Sequence, residues 1–137
     1  MKIKLISNIP VFQNCPHNCL KDISMHLEQI YSSPGDMIMN IGDIGEEMFI
    51  IAHGNVDVIL ESGDRVATLH DGQIFGEIAL LKETTRTAHI QSQTYCDLYK
   101  LTKKSFNEIV KRYPVLLSNI EGTTKRRSTD IKKNSAA

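Results

Sequence analysis

The feature that most constrains the fold is the placement of glycine. Seven of the eight glycines (Gly35, Gly42, Gly45, Gly54, Gly63, Gly72 and Gly76) fall between residues 35 and 76. Between them lie the short runs DMIMN, EEMFIIA, NVDVIL and RVATLH. Strand-length segments broken by glycine at about nine-residue intervals fit an antiparallel sandwich or barrel, in which each glycine turns the chain back on itself. Ser62-Gly63 suits a hairpin tip. Two further strands are expected near Ala88–Gln91 and Cys96–Lys100.

The flanks follow a different period. Leu20, Ile23 and Leu27 recur at helical spacing, and Pro16 suits the first turn of that helix. Phe106, Ile109, Val110 and Tyr113 recur at i, i+3, i+4 and i+7, with Thr102 placed as their N-cap and Pro114 as a break. Residues Val115 to Lys133 suit another helix, weakened by Gly122, Thr123 and Thr124. The order is therefore helix, β-barrel, then one or two helices. Its core is expected to include Met37, Met39 and Met48.

Composition removes several function classes. The 137 residues suffice for one domain with a real core. Lys plus Arg and Asp plus Glu both number 16, so there is no basic excess to recruit nucleic acid. No apolar run approaches the roughly 20 residues of a membrane helix. The start, MKIKLISNIP, is too short and polar for a secretory signal. Three cysteines (Cys15, Cys19 and Cys96) fit a reducing compartment better than a disulfide framework. The run CPHNC lacks the spacing and the second cluster of a zinc site. His53 reads as a turn residue, and His89 as a strand residue facing core or solvent. No nucleophile is paired with a base, so no catalytic site is expected.

One segment places an acid and a base at the ends of a short turn: FGEIALLKETTRTAHI, Phe75 to Ile90. Gly76 lets a ligand approach the backbone. Residues 77–81 can form one helical turn, whose first amides suit an anion. Arg86 offers a charged planar fork matched to phosphate oxygens, and Thr87 a hydroxyl. Glu77 is wrong for phosphate and right for a sugar hydroxyl, from which it can accept. The same two charges would equally serve as a surface ion pair, worth about 0–1 kcal/mol. The residues alone do not separate these readings.

FGEIALL followed by TTRTAHI resembles the phosphate-binding cassette of the cyclic nucleotide-binding domain family. PGDMIMNIGDIGEEMFIIAHGNVDV resembles the family's first strands, DGQIFGE the approach to the cassette, and TYCDLYKLTKKSFNEIVKRYP the join to its C-terminal helices. The resemblance spans about residues 9–133 and is strongest to the hyperpolarisation-activated (HCN) and cyclic-nucleotide-gated (CNG) channel branch. It implies an α+β, mainly β fold: an antiparallel eight-stranded β-roll with an N-terminal helix and C-terminal helices. The whole chain, 1–137, is expected to be one domain, with a helical start to about 29, the roll to about 101 and C-terminal helices to about 133.

The resemblance also implies a ligand, cAMP or cGMP, with no further cofactor and no metal. Phe75 opens the cassette, and Gly76 and Glu77 meet the ribose. Ile78 and Ala79 offer amides to the phosphate, Arg86 pairs with it, and Thr87 bonds it and can reach a guanine amino group. Val58 and Leu69 pack on the ligand. Arg127 falls where HCN channels place a base-contacting arginine and Ile131 at their apolar purine cap, which favours cAMP; a solvated basic face competes for Lys125 to Arg127. Thr87, in place of alanine, favours the channel branch over kinase regulatory subunits, and Cys96 matches a structural position. The expected role is a non-enzymatic sensor whose C-terminal helix closes over the purine and regulates a channel pore. Such a chain would be a segment of a larger protein at the cytoplasmic face of a membrane, without inserting itself. The rival expectations are a cGMP-preferring sensor and a binding-incompetent interaction or oligomerisation module.

Overall fold

The computed structural model describes residues 2–123. The chain begins with α1 (Lys2–Ser7), a 3-10 turn (Pro10–Phe12) and α2 (His17–His26), for which Pro16 is the N-cap. Strands β1 (Glu28–Ser32), β2 (Met37–Met39), β3 (Glu47–His53), β4 (Val56–Ile59), β5 (Arg65–Leu69) and β6 (Ile74–Phe75) follow. A single helical turn, α3 (Ile78–Leu81), interrupts them before β7 (His89–Ser92) and β8 (Cys96–Thr102). The chain then continues into α4 (Lys103–Arg112) and, at the end of the described residues, the helical segment α5 (115–123).

The strands form two antiparallel four-stranded sheets, ordered β1-β8-β3-β6 and β2-β7-β4-β5. The fold is the expected α+β roll. β7 and β8, adjacent in sequence, enter different sheets. Their connection therefore crosses between layers, and the buried Ser92 of β7 shares a hydroxyl–hydroxyl bond with Ser32 of β1.

Strand β3 explains why its apolar run is continuous. Met48 and Ile50 face the helices, while Phe49 and Ile51 face the second sheet. A strand buried on both faces has no polar side to alternate with. Val56 and Val58 of β4 enter the inter-sheet core, and Asp57 between them turns to the outer face, accepting from Thr68 at 2.9 Å.

The helices cover the other face of the first sheet. Phe12, Leu20 and Ile23 meet Phe106, Ile109, Leu116 and Ile120 in one cluster. The Thr102 side chain accepts from the Ser105 amide, as an N-cap should. Arg112 donates to Asp22 at 2.9 Å, and Asn119 donates to the Gln13 carbonyl at 2.7 Å, so both C-terminal helices are tied to the N-terminal ones.

One expectation is corrected. Met37 is not a core residue: it is 42 % exposed, at the outer edge of a sheet, whereas Met39 and Met48 are buried. Strand β1, in the largely polar run EQIYS, is not among the runs read as strands; its backbone pairs with Cys96 to Lys100, and Ile30 packs against the inter-sheet core. Arg127 and Ile131 lie outside the described residues.

Candidate functional site

The site is built where the short turn α3 meets the inter-sheet core. Phe75 ends β6 and stacks on Phe49 of β3, ring centroids 4.9 Å apart. Gly76 then takes φ +77°, a conformation that a side chain would strain. A Cβ there would lie 3.1 Å from Arg86 Nη1 and 3.2 Å from the Glu47 carbonyl oxygen. This reversal delivers Glu77 to the N-cap of α3, where its side chain makes no capping bond.

Arg86 arrives from the other direction. Its amide donates to the Asp43 carbonyl at 2.7 Å, and its own carbonyl accepts from Gly42 at 2.9 Å. Gly45 donates to Thr84 at 3.1 Å, so residues 42–45 clamp the backbone on both sides of Thr85. The guanidinium then reaches under the turn. Nη1 donates to the Gly76 carbonyl at 3.0 Å, and Nη2 donates to the Glu47 carbonyl at 2.7 Å. The Glu47 carboxylate lies 3.6 Å from Nη2.

Burial removes the surface ion-pair reading. Glu77 is 2 % and Arg86 6 % exposed, so neither is a surface charge. Burial pulls the Arg86 pKa below the usual arginine value, while Glu47, Asp43 and Glu77 act in the opposite sense. An arginine with so high an intrinsic pKa remains charged at neutral pH.

Glu77 and Arg86 line one cavity of about 620 Å³, its open mouth included. Gly76, Ile78, Ala79 and Thr87 stand around it with them. Val58, Leu69 and Phe75 form its apolar wall, joined by Met39, Ala88 and Ile90. Nine of the eleven residues singled out from sequence thus share one wall, and the other two, Arg127 and Ile131, lie outside the described residues. Thr87 is exposed at the rim. The Ala79 amide donates at 3.3 Å to the Gly76 carbonyl, so an anion would share that donor. The cavity joins a charged donor fork and a carboxylate to an apolar floor, an arrangement suited to a ligand with an anion, a hydroxyl and a flat apolar part.

Sequence reasoning missed Met39, Thr84, Thr85, Ala88, Ile90 and Glu47. A signal existed for two of them: Arg86, Ala88 and Ile90 are spaced by two, and Ile90 pairs with Val58 across the sheet. Glu47 gave none, because its approach to Arg86 depends on how β3 lies against the turn.

Elsewhere, Cys19 is buried in the helical cluster beside Cys15, and the Cys96 thiol donates to the Asn55 carbonyl at 3.4 Å. His53 sits at the Gly54 turn, 3.4 Å from Asp71. His89 Nδ1 accepts from the Ile41 amide at 3.2 Å. Among the described residues, no group of three or more His, Cys, Asp and Glu is arranged to hold a metal, and no helix is long and apolar enough to cross a membrane.

Comparison with known proteins agrees with this architecture. The family model "Cyclic nucleotide-binding domain" matches residues 29–113. Potassium/sodium hyperpolarization-activated cyclic nucleotide-gated channel 4 of Oryctolagus cuniculus is 39 % identical over 133 residues, covering 96 % of this chain and 11 % of the channel. Channel 2 of Mus musculus is also 39 % identical over 133 residues, and the chain spans 15 % of its length. Among solved structures, cAMP-bound PfPKA-R superposes with a TM-score of 0.82 at 26 % identity, over 96 % of this chain and 44 % of that one. The C-linker and CNBHD of zELK channels superpose with a TM-score of 0.76 at 21 % identity, over 88 % of this chain and 62 % of that one, a likeness of fold. The chain belongs to the cyclic nucleotide-binding domain family and is homologous to the matching region of hyperpolarization-activated channels 2 and 4.

Proposed function

We propose that this domain is a sensor for a cyclic purine nucleotide, cAMP in preference to cGMP, and that it regulates the gate of an HCN- or CNG-like channel without catalysing a reaction. The observation that carries the reading is the burial of Glu77 and Arg86 on one cavity wall. Arg86 pairs with the cyclic phosphate and Glu77 accepts from the ribose 2′-hydroxyl. Gly76 allows the sugar close to the backbone, and the Ile78 and Ala79 amides support the phosphate. Thr87 reaches the phosphate from the rim. Phe75, Val58 and Leu69 provide the apolar surface beneath.

The chain acts as one unit within a longer membrane protein, at its cytoplasmic face. Arg127 and Ile131 contribute contacts to the base, so that nucleotide favours a closed position of the C-terminal segment. Only a difference in affinity between open and closed states can shift that balance, and couplings of this kind are typically about 1–3 kcal/mol. Titration calorimetry with cAMP and cGMP tests the reading. Heat with micromolar affinity, about −8 kcal/mol, is expected for at least cAMP. A silent titration with both nucleotides would leave an interaction module in its place.

A further inference from the structure

Glu47 opens β3 and gives Arg86 two acceptors of different kinds: a main-chain carbonyl 2.7 Å from Nη2 and a carboxylate oxygen 3.6 Å from the same nitrogen. We propose that the Glu47 carboxylate is a counter-ion built into the anion site, which competes with the ligand's phosphate for Arg86 and sets affinity below what the cavity could reach. The proposal rests on the nucleotide reading above.

The geometry separates positioning from charge. The guanidinium is oriented by two main-chain carbonyls, Gly76 through Nη1 and Glu47 through Nη2. Both bonds survive any change of side chain at position 47. The carboxylate is too far from Nη2 for a well-formed hydrogen bond but within reach as an ion pair. Its contribution is therefore charge compensation.

The other acids near Arg86 are placed differently. Asp43 meets it through its main-chain carbonyl, and its carboxylate accepts from the Asn40 amide at 3.2 Å. Glu77 stands on the cavity wall, where the ribose would meet it. The Glu47 carboxylate is within ion-pair distance of Arg86, on the side of the guanidinium held by its own main-chain carbonyl. A phosphate bound to Arg86 must stand near that second negative charge, and like charges sharing one partner weaken each other's binding. The Glu47 side chain is 29 % exposed, so solvent screens the penalty without abolishing it.

The test compares wild type with Glu47→Gln, titrated calorimetrically with cAMP and, by competition, with adenosine, which keeps the sugar and base but carries no charge. The variant should bind cAMP more tightly, on the order of fivefold, as expected for release of a partly screened ion pair. Adenosine affinity should not change, and added salt should narrow the gap for cAMP. Glu47→Ala keeps both carbonyl bonds and should move cAMP affinity the same way. Equal or weaker cAMP binding by the variants, with wild type binding normally, would overturn the proposal. So would a parallel gain for adenosine, which would mark a change in cavity shape. Wild type binding neither cAMP nor cGMP would instead remove the nucleotide reading, and this inference with it.

Discussion

Arg86 Nη1 donates at 3.0 Å to the carbonyl of Gly76, the residue immediately before buried Glu77. The base therefore holds the turn that presents the acid. Ten residues separate Gly76 from Arg86 in sequence, yet the fold joins them through one hydrogen bond and one cavity. Any substitution at Arg86 acts on the architecture of the site as well as on its charge.

Arg86→Gln should consequently do two things. Loss of charge-assisted bonds to phosphate, roughly 1.5–3 kcal/mol each, should weaken cAMP at least about a hundredfold. The carbonyls of Gly76 and Glu47 lose a charged donor inside the protein, and stability should fall by about 1–3 kcal/mol. Calorimetry and urea unfolding read the two effects separately. Affinity unchanged within twofold would take Arg86 out of the binding site.

Glu77 should be tested through the sugar. Wild type should bind 2′-deoxy-cAMP more weakly than cAMP by about tenfold, the cost of one charge-assisted bond. Glu77→Ala should weaken cAMP and erase most of that difference. A 2′-deoxy penalty that persists in the variant would assign the hydroxyl to another partner.

Gly45 offers a prediction that depends on space alone. A Cβ at this position would lie 2.7 Å from the Ala79 Cβ and 3.1 Å from Arg86 Nη1. Both neighbours belong to the cavity wall. Gly45→Ala should cost about 1–3 kcal/mol of stability and weaken nucleotide binding by displacing α3 and the guanidinium together. Gly63→Ala is an internal contrast: nothing lies within 4 Å of its added Cβ, so only backbone strain from φ +90° should register, with binding untouched.

The thiols should be slow to react. Burial, reinforced by neighbouring Cys15 and by Asp22, pushes the Cys19 pKa up to about 12, and burial raises that of Cys15 as well. A raised pKa means less thiolate at a given pH, so alkylation of both by iodoacetamide at pH 8 should run well below the rate of a free cysteine and rise toward it in urea. Rapid labelling of the native protein at Cys19 would contradict the packing of α2 against the helical cluster.

Much of this was legible in the sequence, for reasons that differ between elements. Gly63 and Gly76 each take positive φ, which is why glycine marked the turns. Leu20, Ile23, Phe106 and Ile109 bury one helical face, so their period was visible. β1 was not legible, because Ile30 is its one apolar residue packed on the core and pairing with β8 does the rest. Met37 read as core because a hydrophobic side chain at a strand edge looks the same in sequence as one inside. At the site, Glu77 and Arg86 stood out because an acid after Gly76 and a base before Thr87 bracket one short turn. Glu47 did not, lying beside Glu46 at the polar start of the strand run EEMFIIA. Its contact with Arg86 spans 39 residues and exists only once β3 and the turn are in place.

Buried Glu77 and Arg86 should grip one sugar phosphate between them, and a crystal structure of the domain grown with saturating cAMP will decide this. The predicted result places phosphate oxygens within about 3 Å of the Arg86 guanidinium and the 2′-hydroxyl within about 3 Å of the Glu77 carboxylate. A nucleotide bound elsewhere on the domain, or bound in this cavity with neither side chain touching it, would contradict the account.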